Sequence, residues 1–197
     1  VIDACNNFPS ATLYPGSPLI AKYFLRAQDK AWLYELHPRD FQLLEANIAH
    51  DRRVRIYDQD GFSGLLALLP PVSRRGLILI DPSYEVKVDY ERVYEITSKA
   101  YKKFSTGIYV VWYPVVSRDK IDRLEKKFIK SGINNIQRFE VGIDQDSDTR
   151  GMTSSGMFVI NPPWRLFGKM ATILPRLSKS LSTADNALFR CDVLVAE

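Results

Sequence analysis

The chain has 197 residues, 46% of them hydrophobic and 25% charged, with a formal net charge of +4. That length suits one domain, and apolar residues recur from end to end, which excludes disorder of the whole chain. The longest apolar runs, such as Leu77-Ile78-Leu79-Ile80, fall far short of the ~18 residues that a membrane-spanning helix needs.

Cys5 and Cys191 stand near opposite ends and make no disulfide framework; with no leader-like start, the chain reads as cytoplasmic. His37 and His50 are isolated and read as surface or turn residues. No cluster has metal-ligand spacing, so no metal is expected. The positive charge is scattered over Arg52-Arg53, Arg74-Arg75, Lys102-Lys103 and Lys126-Lys127. Each pair reads as a solvated helix end or turn, and only a shared face would make them a polyanion footprint.

In chain order, 18–26 is predicted helical, with Ser17 in capping position before Pro18. A strand follows over 31–36 and a helix over 40–50 with Phe41, Leu44 and Ile48 on one face. Residues 54–57 form a strand and 61–69 a short helix stopped by Pro70-Pro71. The fully apolar stretch 76–80 is a strand that stops at Asp81-Pro82. A helix over 90–104 carries Val93, Ile96 and Ala100 as its core stripe. A strong strand over 107–116 and a helix over 118–130, with Ile121, Leu124 and Phe128 inward, come next. Strands 136–141 and 156–160, joined without a helix, predict an antiparallel hairpin; helix 165–180 and strand 188–195 close the chain. This alternation argues for an α/β fold with helices on both faces of a mixed, mostly parallel sheet.

Sheets of this kind bind ligands beyond the carboxyl ends of their strands. Three successive strands there end near a carboxylate: Glu35, Asp60 beside Gly61, and Asp81. Each alone also reads as a helix cap or turn former. In a nucleotide-type site, the first would accept from ribose hydroxyls, the second from an adenine amine, and the third would face the reacting group.

The strand-ending Leu77-Ile78-Leu79-Ile80-Asp81-Pro82-Ser83-Tyr84 resembles the Asp/Asn-Pro-Pro-Tyr motif of S-adenosylmethionine-dependent amino-methyltransferases. Tyr14-Pro15-Gly16-Ser17-Pro18, Leu36-His37-Pro38, Asp60-Gly61-Phe62, Leu69-Pro70-Pro71-Val72-Ser73-Arg74-Arg75-Gly76, Trp112-Tyr113-Pro114-Val115-Val116 and Arg150-Gly151-Met152-Thr153 are similar, with spacing kept, to the bacterial 23S ribosomal RNA adenine-N6 methyltransferase J family. The resemblance implies a Rossmann-like class I methyltransferase fold, S-adenosyl-L-methionine as methyl donor, and protein-free 23S ribosomal RNA as partner of a monomer. It implies that Ser17, Glu35, Asp60, Gly61 and Asp81 line the cofactor pocket, that Asp81 is catalytic, and that Pro82 and Tyr84 contact the adenine, Tyr84 by stacking.

The chemistry of the motif fits. An adenine amine is a poor nucleophile because its lone pair is delocalised into the ring. The Asp81 carboxylate and the Pro82 carbonyl, both accepting from that NH₂, favour its pyramidal form.

Ser83 departs from the usual second proline. No glycine cluster precedes Glu35, so the family's first strand and its glycine-rich loop are expected to be missing and the chain to be part of a longer protein. Asn161-Pro162-Pro163-Trp164 matches the generic motif better, letter for letter, than Asp81-Pro82-Ser83-Tyr84 and also follows an apolar strand. It reads as a strand-terminating turn with Trp164 packed on the core, because the family's catalytic motif aligns with Asp81. The alternatives that keep the fold are a DNA or different RNA substrate, or a nucleic-acid-binding protein without turnover.

Overall fold

The computed structural model describes residues 15–48, 50–86, 88–147, 149, 151–182 and 188–197. The chain divides into two compact units, Val1–Leu68 and Leu69–Glu197. Cys5, Tyr14 and Arg150 lie outside the described residues.

The first unit runs α1 (Ser17–Phe24), β1 (Ala31–Tyr34), α2 (Pro38–Ile48), β2 (Val54–Tyr57) and α3 (Gly61–Leu68). β1 and β2 are parallel, with Tyr34 opposite Tyr57, and these two rings stack at 5.0 Å. α1 packs on α2, α2 on β2, and α3 on β1. On α2, Ile48 is buried and Phe41 and Leu44 are half-buried, as the helical spacing predicts. The capping residue of α1 is Gly16 rather than Ser17: the carbonyl of Gly16 accepts the first helical bonds, no side chain caps the helix, and Ser17 is already inside it. Pro18, with φ pre-set for the first turn and no N–H to satisfy, makes a side-chain cap less necessary.

The second unit runs β3 (Leu77–Ile80), α4 (Asp89–Lys103), β4 (Ile108–Val115), α5 (Arg118–Ile129), β5 (Ile136–Gly142), β6 (Ser154–Ile160), α6 (Leu166–Leu181) and β7 (Leu188–Val195). Its five strands are ordered β3-β4-β6-β5-β7. β3 pairs parallel with β4, while β4–β6, β6–β5 and β5–β7 are antiparallel. The expected hairpin is there, but the expected mostly parallel sheet is corrected: among the described strands antiparallel pairs outnumber parallel ones. Apolar periodicity reports which face a strand buries and is silent on its direction.

Helices cover both faces of this sheet. On one, Tyr109, Val111 and Tyr113 of β4 and Phe158 and Ile160 of β6 are buried with Ile121, Leu124 and Phe128 of α5. Phe158 stacks on Tyr113 at 4.6 Å and tilts against Phe128 at 5.5 Å. On the other, Phe139, Val159 and Leu174 form a core joined by Val110, Phe167 and Met170.

Gly156 of β6 lies between Tyr113 and Glu140 on the flanking strands. A Cβ there would fall well inside contact distance of the Tyr113 hydroxyl. Its absence lets that hydroxyl donate to Glu140 Oε2 at 2.9 Å across the intervening strand.

Candidate active site

In the first unit the parallel register of β1 and β2 brings Glu35 and the turn 58–61 to one edge. Glu35 Oε1 accepts from the His37 N–H at 2.8 Å, which fixes the carboxylate and leaves Oε2 for another donor. Asp60 caps α3: its Oδ1 accepts from the Phe62 N–H at 2.9 Å, and its carbonyl accepts from Ser63 and Gly64. The bland role is therefore filled at both carboxylates while they stay side by side at the strand ends. Gly61 follows directly, and a Cβ there would lie only 3.2 Å from the Tyr34 Cβ. Ser17 sits in the first turn of α1, exposed.

In the second unit the turn after β3 carries Asp81, Pro82, Ser83 and Tyr84. Ile80 pairs with Val111, and β4 runs on beyond the end of β3. In that overhang the Trp112 carbonyl accepts the Tyr84 hydroxyl at 2.5 Å. The side-chain hydroxyl satisfies an acceptor that a longer β3 would otherwise reach. Tyr84 adopts φ +56°, a left-handed conformation that costs a bulky L-residue about 1–2 kcal/mol. Its ring is buried, 4.7 Å from Tyr90 and 6.0 Å from Trp112 by centroids. Burial pushes the Tyr84 phenol far above its ordinary value, so it stays a hydrogen-bond donor.

Tyr84 is thus packed as folded, and its ring and hydroxyl hold the Asp81 turn to β4. Tyr84→Phe keeps the ring and leaves the Trp112 carbonyl without its donor. It should lower unfolding free energy by about 1–2 kcal/mol in a denaturant titration. An unchanged midpoint would mean that the hydroxyl does not hold the turn.

Among the described residues Asp81 makes no hydrogen bond and no ion pair. The residue is exposed, yet surrounding protein removes enough water to raise its carboxyl above the ordinary aspartate value. A carboxylate so placed is a stronger proton acceptor than one in open solvent.

Asn161 stands at the other end of the sheet. Ile160 pairs with Tyr109 on a β6 that runs against β4, so the chain leaves β6 where β4 begins. Asp81 and Asn161 are thus offset along the strands by about four residues, roughly 13 Å. The Asn161 side-chain amide donates to the carbonyls of Ser105 at 2.7 Å and Gly107 at 2.8 Å. The turn role is as expected, but Trp164 is not packed on the core: it is 83% exposed.

A further cluster stands at the Asp81 end of the sheet. Arg118, opening α5, donates to both oxygens of Glu140 at 2.9 and 2.7 Å and to both of Asp146 at 2.7 and 3.0 Å. Glu140 is buried. Burial pulls the Arg118 guanidinium pKa down, and its bonds to Glu140 and Asp146 outweigh this, so the net shift is upward. The hydrogen bond from Arg118 holds Asp146 below its ordinary value. The clamp ties the loop between β5 and β6 to the end of β4, where Thr153 N–H also bonds the Val115 carbonyl at 3.0 Å. The residues are distant in sequence and leave no local signal.

Of the basic pairs, Arg53 is bonded to Asp51 and Lys127 to Glu91. His37 lies 3.3 Å from Asp40 on the surface, and His50 sits in a turn with φ +72°. Among the described residues no group of His, Cys, Asp or Glu is arranged to hold a metal ion, and no helix is long and apolar enough to cross a membrane.

Each of the two α/β units carries carboxylates beyond the carboxyl ends of its strands, and in the second the carboxylate opens a strained Asp-Pro-x-Tyr turn. The family model described as "Ribosomal RNA large subunit methyltransferase D, RlmJ" matches residues 1–192, and the chain belongs to that family. It is 50% identical over 184 residues to the ribosomal RNA large subunit methyltransferase J of Escherichia coli (strain K12), covering 93% of this chain and 66% of that protein. It is also 50% identical to the protein of that name from Haemophilus influenzae, over 168 residues, 85% of this chain and 60% of that one. The chain therefore spans less than two thirds of the length of either relative. The crystal structure of protein LPL1258 from Legionella pneumophila str. Philadelphia 1 superposes with a TM-score of 0.89 at 35% identity, covering 98% of this chain and 71% of that one.

Proposed function

We propose that this chain forms part of an S-adenosylmethionine-dependent methyltransferase of Rossmann-like class I fold, and that the whole protein methylates N6 of an adenine in 23S ribosomal RNA. Residues 1–197 act in it as one cytoplasmic methyltransferase domain, monomeric and working on protein-free RNA. The observation that carries this reading is the Asp81-Pro82-Ser83-Tyr84 turn at the carboxyl end of β3, in a chain of this family.

The residues of the first unit fit an adenosine. The Glu35 carboxylate, held through Oε1, presents Oε2 to a ribose diol, and Asp60 with Gly61 sits beside it at the same edge. Ser17 is assigned to the same ligand by resemblance alone. S-adenosylmethionine, when bound, supplies an electrophilic methyl on a sulfonium.

Asp81 and the Pro82 carbonyl accept the two hydrogens of the acceptor amine and turn its lone pair outward. Transfer of the methyl to that nitrogen would place positive charge on it. Asp81 stabilises that charge and takes the departing proton, a task its raised pKa favours. Ser83 in place of proline adds an N–H to the turn. Tyr84 supports the turn through Trp112 and contacts the base only if it leaves its packed position.

The test is transfer of labelled methyl from S-adenosylmethionine to deproteinised 23S ribosomal RNA by the complete natural protein. Label recovered as N6-methyladenosine supports the reading. Cofactor binding without transfer to this RNA would discard the substrate, and no cofactor binding would discard the enzyme.

The acid limb of its pH profile is a further expectation. Asp81 must be ionised to accept, and burial holds its pKa above the ordinary aspartate value. Single-turnover rates should therefore fall, as pH drops, earlier than an unperturbed carboxylate near 3.9 would dictate. A rate flat down to that value would remove Asp81 from the role.

A further inference from the structure

We propose that Trp164 and Arg165, on the corner that follows β6, form a second RNA contact: a stacking platform for one unpaired nucleobase and its phosphate, at the end of the sheet opposite Asp81. The proposal rests on the RNA-directed reading above and extends it to a surface that the methyl-transfer chemistry does not use.

The corner is built. Asn161 takes φ +52°, its amide spans the carbonyls of Ser105 and Gly107, and its backbone N–H bonds the Asn135 carbonyl at 3.0 Å. Pro162 is buried, and the Pro163 carbonyl accepts from the Leu166 N–H at 2.8 Å. Two prolines and a doubly bonded amide leave this segment little freedom. What it holds out is an indole that is 83% exposed, with the Arg165 guanidinium 4.4 Å from the ring centroid. The indole is held in place by this corner, and its exposure leaves an amphipathic ring face open to an external ring. The arginine steadies the ring and brings a bidentate phosphate donor beside it.

The surroundings fit a polyanion. Lys169 lies one turn on in α6, whose first turn carries no acidic residue. Lys102 is exposed just before Ser105, whose carbonyl holds Asn161. Glu197, following β7 on the same edge, offsets one of these charges. A protein partner is less favoured, because a lone ring among cations lacks the contiguous apolar centre that protein interfaces bury. An unpaired base needs only a π-face and a nearby positive charge.

The experiment is fluorescence anisotropy on the complete natural protein, using a labelled single-stranded RNA of about a dozen nucleotides, in the range of known single-strand sites, and the same sequence as a duplex. Trp164→Ala should weaken single-strand affinity about tenfold and leave the duplex unchanged, while Trp164→Phe should stay within about threefold of wild type. Arg165→Ala should reduce the salt slope of binding by about one. S-adenosylmethionine affinity and melting temperature should not move in any variant. Wild-type RNA affinity in Trp164→Ala, an equal loss for duplex, or a Phe variant as weak as the Ala one would overturn the platform. A wild-type protein that binds no RNA at all would instead overturn the RNA reading on which it rests.

Discussion

Asp81→Asn should abolish most methyl transfer while leaving the protein folded. The asparagine keeps the shape of the side chain and one acceptor oxygen, but it loses the charge that meets the developing positive nitrogen and cannot take a proton from it. Removing one preorganised electrostatic partner of this kind costs about 10²–10³-fold in rate, and here the same atom is also the proton acceptor. The stability effect has the opposite sign. Asp81 has a folded-state pKa above its ordinary value. The stability it contributes is present below the ordinary value and is lost as pH rises through the raised one. At neutral pH the ionised residue therefore strains the fold, and the amide relieves that strain. Single-turnover assays beside thermal melts at pH 7 should show lost rate with an equal or higher melting temperature. Rate within tenfold of wild type, or a large drop in melting temperature, would refute the assignment.

The largest loss of stability is expected from Arg118→Ala. Glu140 has 4% side-chain exposure and Arg118 17%. Deleting the arginine leaves a buried carboxylate with the Tyr113 hydroxyl and a more distant Arg190 at 3.5 Å. Breaking one half of a buried pair costs about 3–5 kcal/mol, which for a chain of this size lowers the melting temperature by roughly 10 °C. Arg118→Met combined with Glu140→Gln should recover part of the loss, because the desolvated charge is gone. A single variant as stable as wild type would show that the clamp is ornamental. The Asp146 arm adds a pH dependence: the folded pKa of Asp146 is depressed. That contribution is full above the ordinary aspartate value and is lost as pH falls through the folded one.

Much of this was legible in the residues. The strands over 54–57 and 188–195 and the buried stripes of α4 and α5 follow from periodicity and stop signals alone. Glu35, Asp60 and Asp81 could be placed at strand ends because a carboxylate before a turn is a local pattern. What stayed hidden depends on partners far away in sequence. The strand directions that make the second sheet mixed are set by connections and packing, which alternation does not record. The burial of Tyr84 needs the Trp112 carbonyl, which lies on another strand. The Arg118 clamp joins a helix start, a strand and a loop. The exposure of Trp164 inverts the usual expectation for tryptophan, and the bonds that hold the Asn161 corner before it come from Ser105 and Gly107, far away in sequence.

Two strand-ending tetrapeptides that each open on Asp-Pro or Asn-Pro, Asp81-Pro82-Ser83-Tyr84 and Asn161-Pro162-Pro163-Trp164, occupy opposite poles because β6 runs against β3 and β4. A motif scan reads spelling and is blind to heading. In a family whose sheet mixes directions, the compass bearing of the preceding strand is therefore part of the motif.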